Sequence, residues 1–141
     1  MISPRPGFFS RMLRFSFLLA GLAGFLRLYG AITQQPDILS FSDKEWLPAY
    51  LMVAGGLMGL FNLTVWLVLK LNPPTLAWLP WAGVVLNITA YWLERLFLWA
   101  PAQRDTNTIW VVGMYAAWLL LAALSALQMK RRLNEHELSG N

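Results

Sequence analysis

The sequence predicts an all-α integral membrane protein, a four-transmembrane-helix antiparallel bundle with both termini cytoplasmic. Three observations lead there. Of 141 residues, 57% are hydrophobic and only 13% charged, where an ordinary soluble domain carries roughly a quarter charged residues. The apolar residues form four runs of roughly 20, each long enough at about 1.5 Å per residue to cross a hydrocarbon core of about 30 Å. Lys and Arg collect at alternate ends of these runs, the asymmetry that orients a multi-pass chain. Residues 1–141 therefore read as a single four-helix membrane domain with spans at 14–32, 48–70, 79–99 and 108–129.

The apolar run of the first span, Phe15 to Ile32, contains one charge, Arg27, and follows Arg5, Arg11 and Arg14. A secretory signal opens in the same way. Here Arg27 interrupts the run, and bulky Tyr29 fills the position where a cleavage site ending at Ala31 needs a small residue, so a retained helix is expected. The connector 33–47 carries Pro36, Asp37, Ser40, Ser42, Asp43, Lys44 and Glu45 and is too polar for lipid, while Ile38, Leu39, Phe41 and Trp46 are placed along the interface. The second span opens on Pro48, favourable in a first helical turn, and ends at Lys70 before Asn72, Pro73 and Pro74. The third ends at Trp99 ahead of Pro101. The fourth meets Lys130, Arg131 and Arg132, leaving 130–141 as a short cytoplasmic tail.

Arg5, Arg11, Arg14, Lys70, Lys130, Arg131 and Arg132 fall on one side of this topology, Lys44 and Arg104 on the other. The first group marks the cytoplasmic side, which puts Asp43 and Arg104 outside and makes 33–47 an outer connector. Trp46, Tyr50, Trp78, Trp81, Trp99 and Trp110 lie near span ends, where amphipathic rings prefer the headgroup layer. The expected localisation is multi-pass in a bacterial-type cytoplasmic membrane. The net charge of +4 is then topological, and no nucleic-acid partner is expected.

The absence of cysteine from the sequence removes disulfides, iron–sulfur clusters, thiolate zinc and paired-thiol chemistry. A single histidine, His136, removes a haem held by two histidines of one chain. The sequence has no nucleophile elbow, zincin motif, phosphate-binding loop or dinucleotide fingerprint, and no span holds two carboxylates that could divide acid and base roles. The expectation is no enzyme activity, no cofactor and no metal. In length and span count the chain resembles the small multidrug transporters. That family's signature places a glutamate in its first helix, where this chain has Arg27, so no residue role or substrate is carried over.

Arg27, Glu94 and Arg95 are the ionisable groups within spans, and each asks for a partner, because such a group costs about 2.5 to 3.5 kcal/mol at a helix centre. Arg27 and Glu94 sit at similar depth in the outer third, so an ion pair between the first and third helices is expected. Asn87, Tyr91, Glu94 and Arg95 share an arc of about 100° on the third helix, a polar stripe that should face protein. Ser16, Ala20, Ala23, Gly24, Arg27 and Ala31 share a face of the first helix, and Gly55, Gly59, Asn62 and Trp66 a face of the second. Small residues there permit close approach, with Gly24, Gly55, Gly59 and Asn62 as packing residues. Asn62 and Asn87 have matched depth and are expected to hydrogen-bond. The Gly55–Gly59 pair reads as a contact within the bundle, and Gly113 with Ala117 as a weaker match of the same type.

The expected function is that of a non-enzymatic accessory or structural subunit acting through the lipid bilayer, a membrane protein partner or a homo-oligomer. The alternative is a small transporter or ligand-binding bundle with an outward-facing polar pocket of Arg27, Asn87, Tyr91, Glu94 and Arg95.

Overall fold

The computed structural model describes residues 7–41, 44–71, 78–99 and 107–139. The expectations that rest on Arg5, Ser42, Asp43, Asn72, Pro73, Pro74, Pro101 and Arg104 lie outside the described residues. The described chain is all-helical, with no strand among these residues. Its helices are α1 (Phe8–Thr33), α2 (Gln35–Phe41), α3 (Leu47–Leu71), α4 (Leu79–Phe97) and α5 (Thr108–Ser139). Helices α1, α3 and the Thr108–Gln128 stretch of α5 are long and apolar enough to cross a membrane. The other expected span falls on α4, whose 19 residues include Pro80, Asn87, Thr89, Tyr91, Glu94 and Arg95 and are correspondingly less apolar.

Two helices run further than the apolar runs that contain them. Helix α1 starts at Phe8, with Arg11 donating its backbone N–H to Gly7 O at 3.1 Å, so Arg11 and Arg14 lie inside the helix. Helix α5 continues through the basic residues to Ser139, and the expected tail is helical over most of its length. Arginine, lysine, glutamate and leucine are good helix formers, and 130–139 contains neither Gly nor Pro.

Helix α1 ends where Pro36 approaches. Gln34 N–H still reaches Gly30 O at 2.9 Å, but Pro36 has no N–H to give to Ile32 and its ring crowds that carbonyl. The same proline suits the first turn of α2, a helix inside the expected outer connector. Helix α4 likewise takes Pro80 into its first turn. Asn107, just ahead of α5, has φ 60°, a left-handed backbone that asparagine tolerates better than most side chains.

The chain divides into two compact units, Phe15–Pro73 and Met1–Arg14 with Pro74–Asn141. In the first, α1 and α3 are antiparallel: Leu28 lies beside Gly55, Gly24 beside Gly59 and Gly21 beside Leu63. The buried residues of α3 are Pro48, Gly55, Gly59, Asn62, Val65 and Leu69, one stripe at helical spacing. Both ends of α3 carry a cation over an aromatic ring. Lys44 Nζ is 5.8 Å from the Trp46 ring, which meets Tyr50 edge-on, and Lys70 Nζ is 5.4 Å from Trp66. Twenty residues separate Trp46 from Trp66, about 30 Å of helix and about the thickness of a hydrocarbon core. In the second unit, α4 packs on α5.

Candidate functional site

In the unit Phe15–Pro73 the expected packing residues meet. A Cβ on Gly24 would lie 2.5 Å from Gly59 N and 2.9 Å from Gly55 O, and one on Gly55 would lie 2.8 Å from Leu28 N. The backbones therefore touch at a crossing where a side chain has no room. The Gly55–Gly59 pair is spent on α1 of the same chain, the intrachain use expected for it. The buried stripe of α1 is Leu13, Phe17, Gly21, Gly24 and Ala31, while Ala23 is exposed. This corrects the expected face: counting small residues brought in Ala23, but large Phe17 and Leu13 set which side is covered. Gly21, absent from the expected face, belongs to the crossing, since a Cβ there would meet Leu63 Cδ2 at 2.8 Å. Its three-residue offset from Gly24 was the available signal.

Asn62 sits on the same α3 stripe, buried, and its Nδ2 donates to Met58 O at 2.9 Å. Asn87, half-buried on α4, donates in the same way to Gly83 O at 2.7 Å. Each amide thus places one donor on its own helix, the local alternative open to a polar side chain in an apolar setting.

The second unit contains the most elaborate polar arrangement. Arg95, in the last turn of α4, is 1% exposed. Its Nη1 donates to Tyr91 Oη at 2.7 Å and its Nη2 to Thr108 Oγ1 on α5 at 2.7 Å. The guanidinium carbon lies 5.3, 5.5 and 5.8 Å from the ring centres of Trp99, Trp92 and Tyr91. Tyr91 is 5.5 Å from Tyr115, and Tyr115 stacks on Trp118 at 6.4 Å. A guanidinium is weakly hydrated, planar and forked, so it can lie among rings and still bridge two hydroxyls, which an ammonium cannot do in one geometry. The result is a polar joint between the end of α4 and the beginning of α5.

Of the expected polar site, Tyr91 and Arg95 are in direct contact. Glu94, half-buried, is the neighbour of Arg95 in the chain. Arg27, half-buried, belongs to the unit Phe15–Pro73, and Glu94 to the other; Asn62 and Asn87 are divided in the same way. The sequence reading missed Thr108, Trp92, Trp99, Tyr115 and Trp118 as partners of this site. The signal for Trp92 was its spacing of three residues from Arg95 on one helix, while Trp99, four residues further on, lies just past the end of α4. No sequence spacing links Arg95 to Thr108, which lie on different helices thirteen residues apart in the chain.

A guanidinium offers hydrogen-bond donors in a fixed fork and no acceptor, so Arg95 serves here to hold and orient the two hydroxyls. Among the described residues no group of His, Asp or Glu is arranged to hold a metal ion. In comparisons with known proteins the chain matches no protein-family model, no curated protein and no solved structure.

Proposed function

We propose that the chain is a non-enzymatic accessory or structural subunit of a bacterial-type cytoplasmic membrane, crossing it four times with α4 as the third crossing and both termini cytoplasmic. The observation that carries this reading is the use made of its polar side chains. Arg95 bridges two hydroxyls between α4 and α5, and Asn62 and Asn87 each place a donor on their own helix. Meanwhile apolar side chains such as Val53, Leu57 and Leu60 on α3 and Ile109, Val112 and Leu120 on α5 face outward. Polar groups committed to packing, under an apolar exterior, suit a protein that works by contact with lipid and with other membrane proteins.

Purification of the full chain in mild detergent, followed by native mass measurement, tests the reading. A stoichiometric protein partner is the expected result. A homo-oligomer that retains a small molecule and no partner overturns it in favour of transport. Topology is tested separately with single cysteines, since the chain has none of its own. An impermeant thiol reagent applied to intact cells should label a Glu45→Cys variant and spare Glu137→Cys; the reverse pattern removes the proposed orientation.

A further inference from the structure

We propose that α2 is an interfacial helix, lying along the boundary between lipid headgroups and acyl chains with Leu39 in lipid and Asp37 toward water. Its depth follows from the register of α1 on α3. Leu28 lies beside Gly55, Gly24 beside Gly59 and Gly21 beside Leu63. The same antiparallel register, carried to the end of α1, brings Thr33 level with Tyr50, four residues and about 6 Å of helix to the bilayer side of Trp46. Trp46 and Tyr50 meet edge-on at 6.0 Å, and such rings mark the headgroup layer. No length of loop lifts α2 away from that level. Gln34 N–H donates to Gly30 O at 2.9 Å, and the carbonyl of the same Gln34 accepts from Ile38 N–H at 3.0 Å. Helix α2 therefore starts within the layer of the two rings, where a connector standing in water would start beyond it.

Packing supplies the orientation. Helix α2 rests on α3, and of residues 35–40 Ile38 alone is half-buried, the others being exposed. With Ile38 turned to α3, a step of about 100° per residue leaves Asp37 and Leu39 on opposite flanks of α2. Leu39 is 41% exposed. An acid on one flank and a leucine on the other suit a helix that lies in an interface with one side in lipid. Ser40 settles its hydroxyl on the helix itself, donating to Asp37 O at 2.7 Å. Lipid is favoured over protein as the occupant because α2 joins two helices long and apolar enough to cross a membrane, and because Tyr29, Ile32 and Trp46 are exposed around the same end of the unit. Helix α2 has no Lys or Arg, so its hold on lipid is apolar and needs no anionic headgroup. The inference rests on the reading of the chain as a multi-pass membrane protein and adds the depth and facing of its first connector.

Spin labels on single cysteines test the proposal, since the chain has no cysteine of its own. Asp37→Cys, Leu39→Cys and Ser40→Cys, all at exposed positions, are labelled in the full chain and reconstituted into phosphatidylcholine vesicles. Relaxation of each label by oxygen, which concentrates among acyl chains, is compared with relaxation by a water-soluble nickel chelate. The ratio of oxygen to nickel accessibility is expected to be several times higher at position 39 than at 37 or 40, and unchanged when phosphatidylglycerol is added. If Leu39→Cys does not fold, Gln35→Cys, one turn earlier on the same flank, takes its place. Nickel access that dominates at every position overturns the proposal by putting α2 in water, and poor access of both reagents to position 39 overturns it by putting α2 under protein. The labels read depth and not sidedness, so the result is independent of which leaflet α2 meets. A lipid-facing Leu39 in a chain that has no protein partner removes the subunit reading and keeps the interfacial helix. A water-exposed α2 in a chain with a stoichiometric partner does the reverse.

Discussion

At the α1–α3 crossing two backbones meet because side chains are missing, with Gly24 against Gly59 and Gly55 against Leu28. At the α4–α5 joint the helices are held by Arg95, the largest fully buried side chain among the described residues, through Tyr91, Thr108 and a set of aromatic rings. Lipid tails are as apolar as leucine, so burying leucine between helices gains little, and association must come from close packing or from polar bonds. The two regions take one route each. The crossing should be sensitive to volume and tolerant of chemistry, and the joint sensitive to chemistry at constant volume.

The largest effect is expected at the crossing. Gly24→Leu directs a side chain into the Gly59 backbone, which cannot turn aside as a flexible side chain would. The helices must separate, at a cost of about 3 kcal/mol, the upper part of the usual overpacking range. Reversible unfolding in mixed micelles measures it. A loss well under 1 kcal/mol would mean that the crossing opens freely and that close approach contributes little to the unit.

Arg95→Leu comes next. It leaves Tyr91 Oη and Thr108 Oγ1 without their donor and removes a cation from three ring faces, with an expected loss of about 2 kcal/mol. The variant should also alter tryptophan emission, because Trp92 and Trp99 both lie against the guanidinium. Arg95→Lys retains the charge yet cannot bridge both hydroxyls, so it should recover less than half of the loss. Full recovery by lysine would show that charge alone holds the joint, and the contrast with the crossing would then be one of charge against volume.

Thr108→Val changes one hydroxyl to a methyl at nearly constant volume, and the joint should lose about 1 kcal/mol. The decisive measurement is the pair. Combined with Arg95→Leu, the threonine change should add almost nothing, since the bond it removes is already gone. Additive losses would place the value of Thr108 elsewhere, for instance in starting α5 after the left-handed Asn107.

Much of the architecture was legible in the sequence, and the gaps have a common cause. The start of α5 at Thr108 was read as it stands, and α3 at Leu47–Leu71 to within one residue at each end, because Pro48, Lys70 and the following prolines mark both apolarity and helix ends. The start of α1 and the end of α5 were missed because apolarity reports where lipid begins. Backbone hydrogen bonding stops only at a residue that breaks it, and neither Arg14 nor Lys130 does. Helix α2 was hidden because Pro36 reads as a breaker, although in a first turn it is a starter. At the site, contacts along one helix were legible, as with Arg95 and Tyr91 four residues apart. Thr108 was not, since its partner lies on a different helix thirteen residues away, and Gly21 was passed over because glycine carries no side chain from which a face can be read.

The smallest predicted effect gives the sharpest comparison, because it sets two glycines of one helix against each other. Gly24 and Gly30 both lie in α1, six residues apart, with ordinary helical backbone. A Cβ on Gly24 meets the α3 backbone, whereas one on Gly30 meets nothing within 4 Å. Alanine at position 30 therefore receives the intrinsic advantage of alanine over glycine in a helix interior, about 0.5 to 1 kcal/mol, with no packing cost. Alanine at position 24 receives the same advantage and loses more to the clash. Gly30→Ala should raise the unfolding midpoint slightly and Gly24→Ala should lower it, measured side by side in one detergent. If both substitutions stabilise, α1 and α3 can part at no cost and the glycines of the crossing are incidental. If both destabilise, something packs on Gly30, and the C-terminal end of α1 becomes the first place to look for what covers it.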